Sequence, residues 1–302
     1  MKVLALVLFA VMYFVMIAFP RRRVAAAVGV AAVFLISGIL PFRALGGAIN
    51  WNVLLMMAGT MILVHYFIVS KMPNRIADVL LDRAPNVMWV TILMSLFAGV
   101  ISAFIDNVAT VLMVAPVGLA ICRRLKISPV PMILSIAVSS NLQGAATLVG
   151  DTTSILLGAY AKMDFTHFFW MRGRPGIFFA VELGALATVP IMCFLFRRDR
   201  DPVQAGAQTE VKDFIPSALL VLMVALLIAA SFIRNKPEIT NGVICMLLAL
   251  VAMICDFIRT RSGENAEHAV KSVDYQTLLQ LFALFVVIGG VTEAGIIDDF
   301  AG

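Results

Sequence analysis

The sequence predicts an all-α polytopic membrane protein. It also predicts an inverted-repeat transporter fold with a re-entrant hairpin, a broken helix and a truncated second repeat. Three observations carry this reading: an apolar, charge-poor composition, a string of near-membrane-length apolar runs, and two polar interruptions inside those runs. Of 302 residues, 62% are hydrophobic and 14% charged, whereas soluble domains carry about 25% charged residues and about 45–50% apolar ones. A lipid-facing surface needs no charge, and a helix needs about 20 apolar residues to cross about 30 Å of hydrocarbon.

Apolar spans are expected at 3–19, 24–41, 51–70, 88–105, 108–121, 130–160, 176–196, 214–233, 239–258 and 274–293. The first is followed by Arg21-Arg22-Arg23 with no small-residue cleavage site before it, which suits a retained helix rather than a signal peptide. The segment 74–86 reads as a short amphipathic helix on the membrane surface.

The net charge of +5 does not point to nucleic acid, because the basic residues lie in short loops between apolar runs. Alternation of the spans puts 16 of the 23 Lys and Arg residues on one side, in loops containing Arg21–Arg23, Lys71–Arg83, Arg123–Lys126, Arg197–Lys212 and Arg259–Lys271. Lys2, Arg43, Lys162, Arg172, Arg174, Arg234 and Lys236 fall on the other. The positive-inside rule makes the richer side cytoplasmic and places the N-terminus outside, in the cell (inner) membrane. The four cysteines form no CxxC pair, and His65, His167 and His268 are far apart in sequence, so no disulfide framework or metal site is expected.

Residues from Trp51 onward can be laid on those from Tyr275 onward. Trp51 pairs with Tyr275, Asn52 with Gln276, Leu54 with Leu278, Leu55 with Leu279, Ile76 with Phe300 and Ala77 with Ala301. By the charge alternation the two helices run in opposite senses, each preceded by two spans, which is the signature of an inverted repeat. This gives a four-part organisation. Two N-terminal helices occupy 1–42, and the first repeat occupies 43–198 with its hairpin (88–121) and broken helix (130–160). A cytoplasmic linker and two helices occupy 199–272, and a second repeat begins at 273–302. On this reading the chain stops early, as a fragment or the product of a split gene would.

The chemistry is expected at the two interruptions. In the first, Ser102 to Thr110, a tip at Asp106-Asn107 separates two apolar arms, and the second arm looks too short for a full span. A hairpin entering and leaving from one side fits. The second, Ser139 to Ser154, contains Ser140, Asn141, Gly144, Thr147, Gly150, Asp151 and Thr152. These residues disfavour continuous helix and offer hydroxyl, amide and carboxylate oxygens. Unsatisfied backbone in hydrocarbon costs several kcal/mol per group, so such breaks persist only against protein or a water-filled cavity. A carboxylate there costs about 2.5–3.5 kcal/mol on insertion scales and is a functional candidate by default. Asp106 and Asp151 are therefore expected to bind a coupling cation. Asn107 and Asn141 are expected to present amides to substrate, while Thr110, Gly144 and Thr147 shape the breaks. Glu182, Asp256 and Glu293 are weaker candidates.

The stretches IDNVATVLMVAP (105–116) and SSNLQGAATLVGDTTSILLG (139–158) resemble the ion-transporter superfamily of citrate and dicarboxylate symporters, arsenite permeases and NhaD-type antiporters. Asp106-Asn107 matches the family's hairpin tip, and Asn141, Gly144, Thr147, Gly150 and Asp151 match its glycine-rich break. Leu142-Gln143-Gly144 and Thr152-Thr153-Ser154 depart from the usual Ile-Gly-Gly and Pro-Pro-Asn. The resemblance implies a scaffold and a mobile transport domain, a homodimer in lipid, and elevator-like alternating access. The expected function is secondary transport of a small anion, a carboxylate or oxyanion, coupled to Na⁺ or H⁺ with no other cofactor. The alternatives are a Na⁺/H⁺ antiporter, whose substrate is the cation, and a non-transporting membrane subunit. Absence of HExxH and GxSxG motifs weighs against an enzyme.

Overall fold

Asparagine and aspartate side chains set the starts of several spans. Asn50 Oδ1 accepts from Val53 N at 3.1 Å at the head of one helix, Asn86 Oδ1 accepts from Trp89 N at 3.1 Å at another, and Asp274 Oδ1 accepts from Gln276 N and Thr277 N, both at 3.1 Å, at a third. Such caps satisfy backbone donors that a helix leaves unpaired. A computed structural model describes residues 2–125, 127–199, 201–202, 209–233 and 236–296.

The described chain is almost wholly helical, as expected. In order it forms α1 (Lys2–Ala18), α2 (Arg23–Ile36), the one-turn α3 (Leu45–Ala48), α4 (Trp51–Val69), α5 (Met72–Arg83), α6 (Val87–Ser102) and α7 (Asn107–Leu125). There follow α8 (Val130–Gly144), α9 (Thr152–Tyr160), α10 (Ile177–Leu195), α11 (Ile215–Ser231), α12 (Thr240–Thr260), α13 (Glu264–Lys271) and α14 (Tyr275–Glu293). Among the described helices, α4, α10, α12 and α14 are long and apolar enough to cross a membrane by length and composition. Shorter apolar helices include α1, α6 and α11.

Several boundaries differ from expectation. The arm after the hairpin tip is not short: α7 runs on through Arg123, because basic residues suit a helix C-terminus even where they end an apolar run. α2 stops at Ile36 rather than 41, where Gly38 turns the chain at φ 71° and Pro41 prevents helical continuation. The surface helix spans Met72–Arg83 rather than 74–86, since Ala84, preceding Pro85, is extended. Three elements were not expected: α13, a 3₁₀ turn at Phe165–Phe168, and a two-residue hairpin pairing Trp170–Met171 with Arg174–Pro175. The proposed pairings with Phe300 and Ala301, and the basic positions Lys126, Arg200 and Arg234, lie outside the described residues.

α4 is the most enclosed of the four long helices, and it packs closely on α12. A Cβ on Gly59 would stand 2.5 Å from the main-chain carbon of Cys245 and 2.7 Å from Met246 N, so glycine is what lets the two backbones touch. Asn52 Oδ1 also accepts from Gly242 N at 2.7 Å. One core joins α4, α11, α12 and α14 to the chain after the α8 break, through Leu148, Val149 and Phe165. A second joins α4 and α5 to α6, α7 and α8, and a third joins α1 and α2 to α14.

The connections gather on two faces. On one, Lys212 N donates to Ser70 O at 3.0 Å, Thr209 N to Asp78 Oδ2 at 2.7 Å, and Met88 N to Asp199 O at 2.9 Å, while Arg259 pairs with Asp213 at 2.7 Å. Ile121 and Cys122 of α7 pack with Ala77 and Ala84 on the same side. On the other, Lys236 pairs with Asp164, Lys162 lies 3.9 Å from Glu238, and Lys2 Nζ reaches Gly295 O at 3.4 Å.

Candidate functional site

The hairpin formed by α6 and α7 meets the break between α8 and α9 through a polar interface. Asp106 begins it by capping α7: its Oδ2 accepts from Val108 N at 3.0 Å and Ala109 N at 3.1 Å. An N-cap carboxylate also complements the positive end of the helix dipole. That geometry presents Asn107, whose Nδ2 donates to Asn141 Oδ1 at 2.8 Å, while Asn141 Nδ2 donates to Ala137 O at 2.9 Å within its own helix. Ser140, fully buried, donates from Oγ to the Asn107 carbonyl at 3.1 Å and lies 3.1 Å from Ser102 Oγ. Thr147 Oγ1 donates to the Ala103 carbonyl at the end of α6. Two stretches of chain more than thirty residues apart thus satisfy each other's polar groups, as an interrupted helix in an apolar setting demands.

The glycines of the break are set by close approach. A Cβ on Gly150 would fall 2.6 Å from Ser102 O and 2.7 Å from Ala103 O, and one on Gly144 would fall 3.3 Å from Ser102 Oγ. Thr110 is fully buried and its hydroxyl has no hydrogen-bond partner. After the break, Asp151 is the first residue before α9, and its Oδ2 accepts from Thr153 Oγ1 at 3.1 Å.

A cavity of about 600 Å³ opens beside this interface. Of the residues expected at the site, Asp106, Asn107, Asp151 and Thr152 line it. Ser140, Gly144, Thr147 and Gly150 are buried behind the lining, where they join hairpin to break, and Thr110 is buried in α7. Asn141 reaches the site through its bond to Asn107. The far wall holds residues that the sequence reading did not single out: Thr60 and His65 of α4, with Asp274 and Thr277 at the head of α14. Asp274 carried a usable signal, because Asp just before an apolar run is a helix N-cap residue and Asp274 stands one residue before the repeat pairing that begins at Tyr275. His65 carried none beyond being an ionisable residue inside an apolar run.

Three carboxylates therefore share one cavity, and no Lys or Arg is among its described lining residues. Among the described residues no three His, Cys, Asp or Glu side chains are grouped to chelate one metal ion, so the carboxylates form separate stations rather than one chelating cluster. Such a lining attracts cations and repels a bare anion. Glu182 and Glu293 are not part of it, and Asp256 lines a different cavity.

The chain resembles known proteins along its whole length. An uncharacterized transporter of Mycobacterium tuberculosis is 27% identical over 310 residues, covering all of this chain and 71% of the relative. The 46 kDa membrane protein of Mycobacterium leprae is 28% identical over 312 residues, again all of this chain and 71% of that protein. The magnetosome protein MamN of Paramagnetospirillum magneticum is 24% identical over 223 residues, 70% of this chain and 48% of that protein. The pattern of one family, described as citrate transporter, matches residues 11–302, a span that includes the hairpin, the break and all three carboxylates; the chain is a membrane transporter belonging to the citrate transporter family.

Proposed function

We propose that the protein is a secondary transporter that moves a small carboxylate or oxyanion together with Na⁺ or H⁺, and that the 600 Å³ cavity is the transport site. The observation that carries this is the cavity's charge. Asp106, Asp151 and Asp274 line it with no Lys or Arg among the described lining residues, so an anion enters at acceptable electrostatic cost only with cations that offset those carboxylates. Coupling is then a condition of binding. Asn107 supplies an amide, and the start of α9, where no side chain caps the helix, supplies partial positive charge at which a carboxylate group can be held. The family's description makes di- and tricarboxylates the first substrates to test.

The same lack of Lys and Arg favours a second reading, Na⁺/H⁺ exchange without any anion, with Asp106 and Asp151 shared between the two ions. Flux in proteoliposomes separates the two. Symport gives citrate-class uptake that collapses when the Na⁺ and H⁺ gradients are both dissipated. Exchange gives Na⁺-driven proton movement with no anion present. Asp106→Asn preserves shape and removes charge, so it should abolish cation dependence in the first case and all exchange in the second. Unchanged flux and unchanged cation dependence in a protein carrying Asp106→Asn and Asp151→Asn would refute both.

The remaining expectations stay attached to this proposal. The basic face is cytoplasmic in a bacterial-type inner membrane with the N-terminus outside, and the protein works as a homodimer whose scaffold carries a mobile transport domain with elevator-like alternating access.

A further inference from the structure

A second cavity, of about 250 Å³, lies on the basic face of the protein. It is separate from the transport cavity although both use α4. Thr60, Val64, His65 and Ile68 face the large cavity, whereas Tyr66, Val69 and Ser70 face the small one. At 3.6 residues per turn, His65 and Tyr66 point about 100° apart, so one helix forms a wall of each. The other walls come from the entry to α11, from Asp256 and Arg259 of α12, and from Asn265 of α13.

Two oxygens here are left without partners. Tyr66 is 3% exposed and its Oη makes no hydrogen bond. Asp256 Oδ1 accepts from Asn265 Nδ2 at 3.2 Å, but its buried Oδ2 accepts nothing. Both residues border the same space, which is several times the roughly 30 Å³ that one water occupies. The basic residues of the lining are already engaged or turned outward. Arg259 pairs with Asp213 at 2.7 Å and donates to the Lys212 carbonyl, while the Lys212 side chain is exposed. Asp213 pairs with Arg259 and the Lys212 side chain is exposed, so Asp256 is the lining carboxylate without an ion pair among the described residues.

Buried charges are paired or bind ions. A carboxylate oxygen and a phenolic oxygen, with the Asn265 amide beside them, are hard oxygen donors of the kind that alkali cations accept. We propose that this cavity binds one monovalent cation of the sodium or potassium class through Asp256 Oδ2 and Tyr66 Oη. A single carboxylate without an ion pair matches one positive charge rather than two. The ion joins α4 to α12 and α13, next to the segment 209–213 that crosses this face, and it does not enter the transport path. The proposal stands independently of the substrate assigned to the large cavity.

The test uses the full chain carrying Asp106→Asn and Asp151→Asn, which weaken cation binding in the transport cavity. Thermal unfolding in detergent is followed in NaCl, KCl and choline chloride at equal ionic strength. The expected result is a rise in midpoint of a few degrees with Na⁺ or K⁺ over choline, which Asp256→Asn abolishes. Tyr66→Phe removes one oxygen and should raise the half-saturating cation concentration by about threefold or more. If Asp256→Asn does not fold, Tyr66→Phe carries the comparison. If the Asp106, Asp151 double variant does not fold, the same titration is made on the otherwise unaltered chain. No cation-specific rise, or a rise that neither Tyr66→Phe nor Asp256→Asn alters, overturns the proposal and leaves the cavity holding water only.

Discussion

The contact between hairpin and break makes a quantitative prediction at Gly150. A methyl group added there meets main-chain atoms alone, most closely the Gly144 carbonyl oxygen within the break, then Ser102 O at 2.6 Å and Ala103 O at 2.7 Å across it. Ordinary van der Waals contact begins near 3.4 Å, so the break and the end of α6 must part by about 0.7–0.8 Å. Main chain cannot rotate away as a side chain can. Overpacking of this kind costs about 1–3 kcal/mol, and the same separation stretches the Thr147–Ala103 hydrogen bond, adding about 1 kcal/mol. Gly150→Ala should therefore lose about 2–4 kcal/mol of unfolding free energy and most transport. Gly29→Ala is the control. Gly29 lies inside α2 with nothing within 4 Å of the added carbon, and alanine there should be neutral or stabilising by up to about 1 kcal/mol. The assay is denaturant or thermal unfolding of purified protein in detergent, paired with flux in proteoliposomes. If Gly150→Ala matches the parent in both while Gly29→Ala behaves as stated, the close approach between hairpin and break is not as described.

Three further outcomes follow from the geometry. Asp274→Asn keeps an acceptor for Gln276 N and Thr277 N, so α14 should fold normally while the apparent affinity for the coupling cation falls; unchanged cation dependence of flux would remove Asp274 from the ion path. A double-mutant cycle of Asn107→Ala and Asn141→Ala should give a coupling energy of about 0.5–1.5 kcal/mol in unfolding, and a value near zero would mean the side-chain bond does not form. Single cysteines at Lys71, Arg123 and Arg197 should all label from one side of the membrane and those at Lys162 and Lys236 from the other, with the mixed result excluding the two-faced arrangement.

The helical class, the hairpin and the break were legible because each has a local cause. Charge-poor apolar runs leave no other way to satisfy backbone in lipid, and Asp106-Asn107 and the Ser139–Ser154 stretch interrupt those runs with residues that favour caps and turns. Contact between the two polar segments was also foreseeable, since each needs the other's donors and acceptors. Pairwise partners were not: that Thr147 would reach Ala103, or Ser140 the Asn107 carbonyl, depends on how two helices cross. The far wall of the cavity was missed for the same reason. His65 and Asp274 sit more than 200 residues apart, and only the packing of α4 and α14 around the hairpin places them together. The length of α7 was misjudged because the apolar run ends before the helix does.

The glycine contact between α4 and α12 has a mechanical consequence. With Gly59 against the Cys245 backbone and Asn52 bonded to Gly242 N, no side chain stands between the two helices at those points to act as a lubricant. Side chains can slide past one another by changing rotamer, whereas touching backbones interlock and forfeit dispersion contacts as soon as they part. A displacement of α4 is then a displacement of α12, and the pair behaves as one beam. Whatever motion carries cargo through this protein has its slip plane elsewhere, at surfaces faced by side chains.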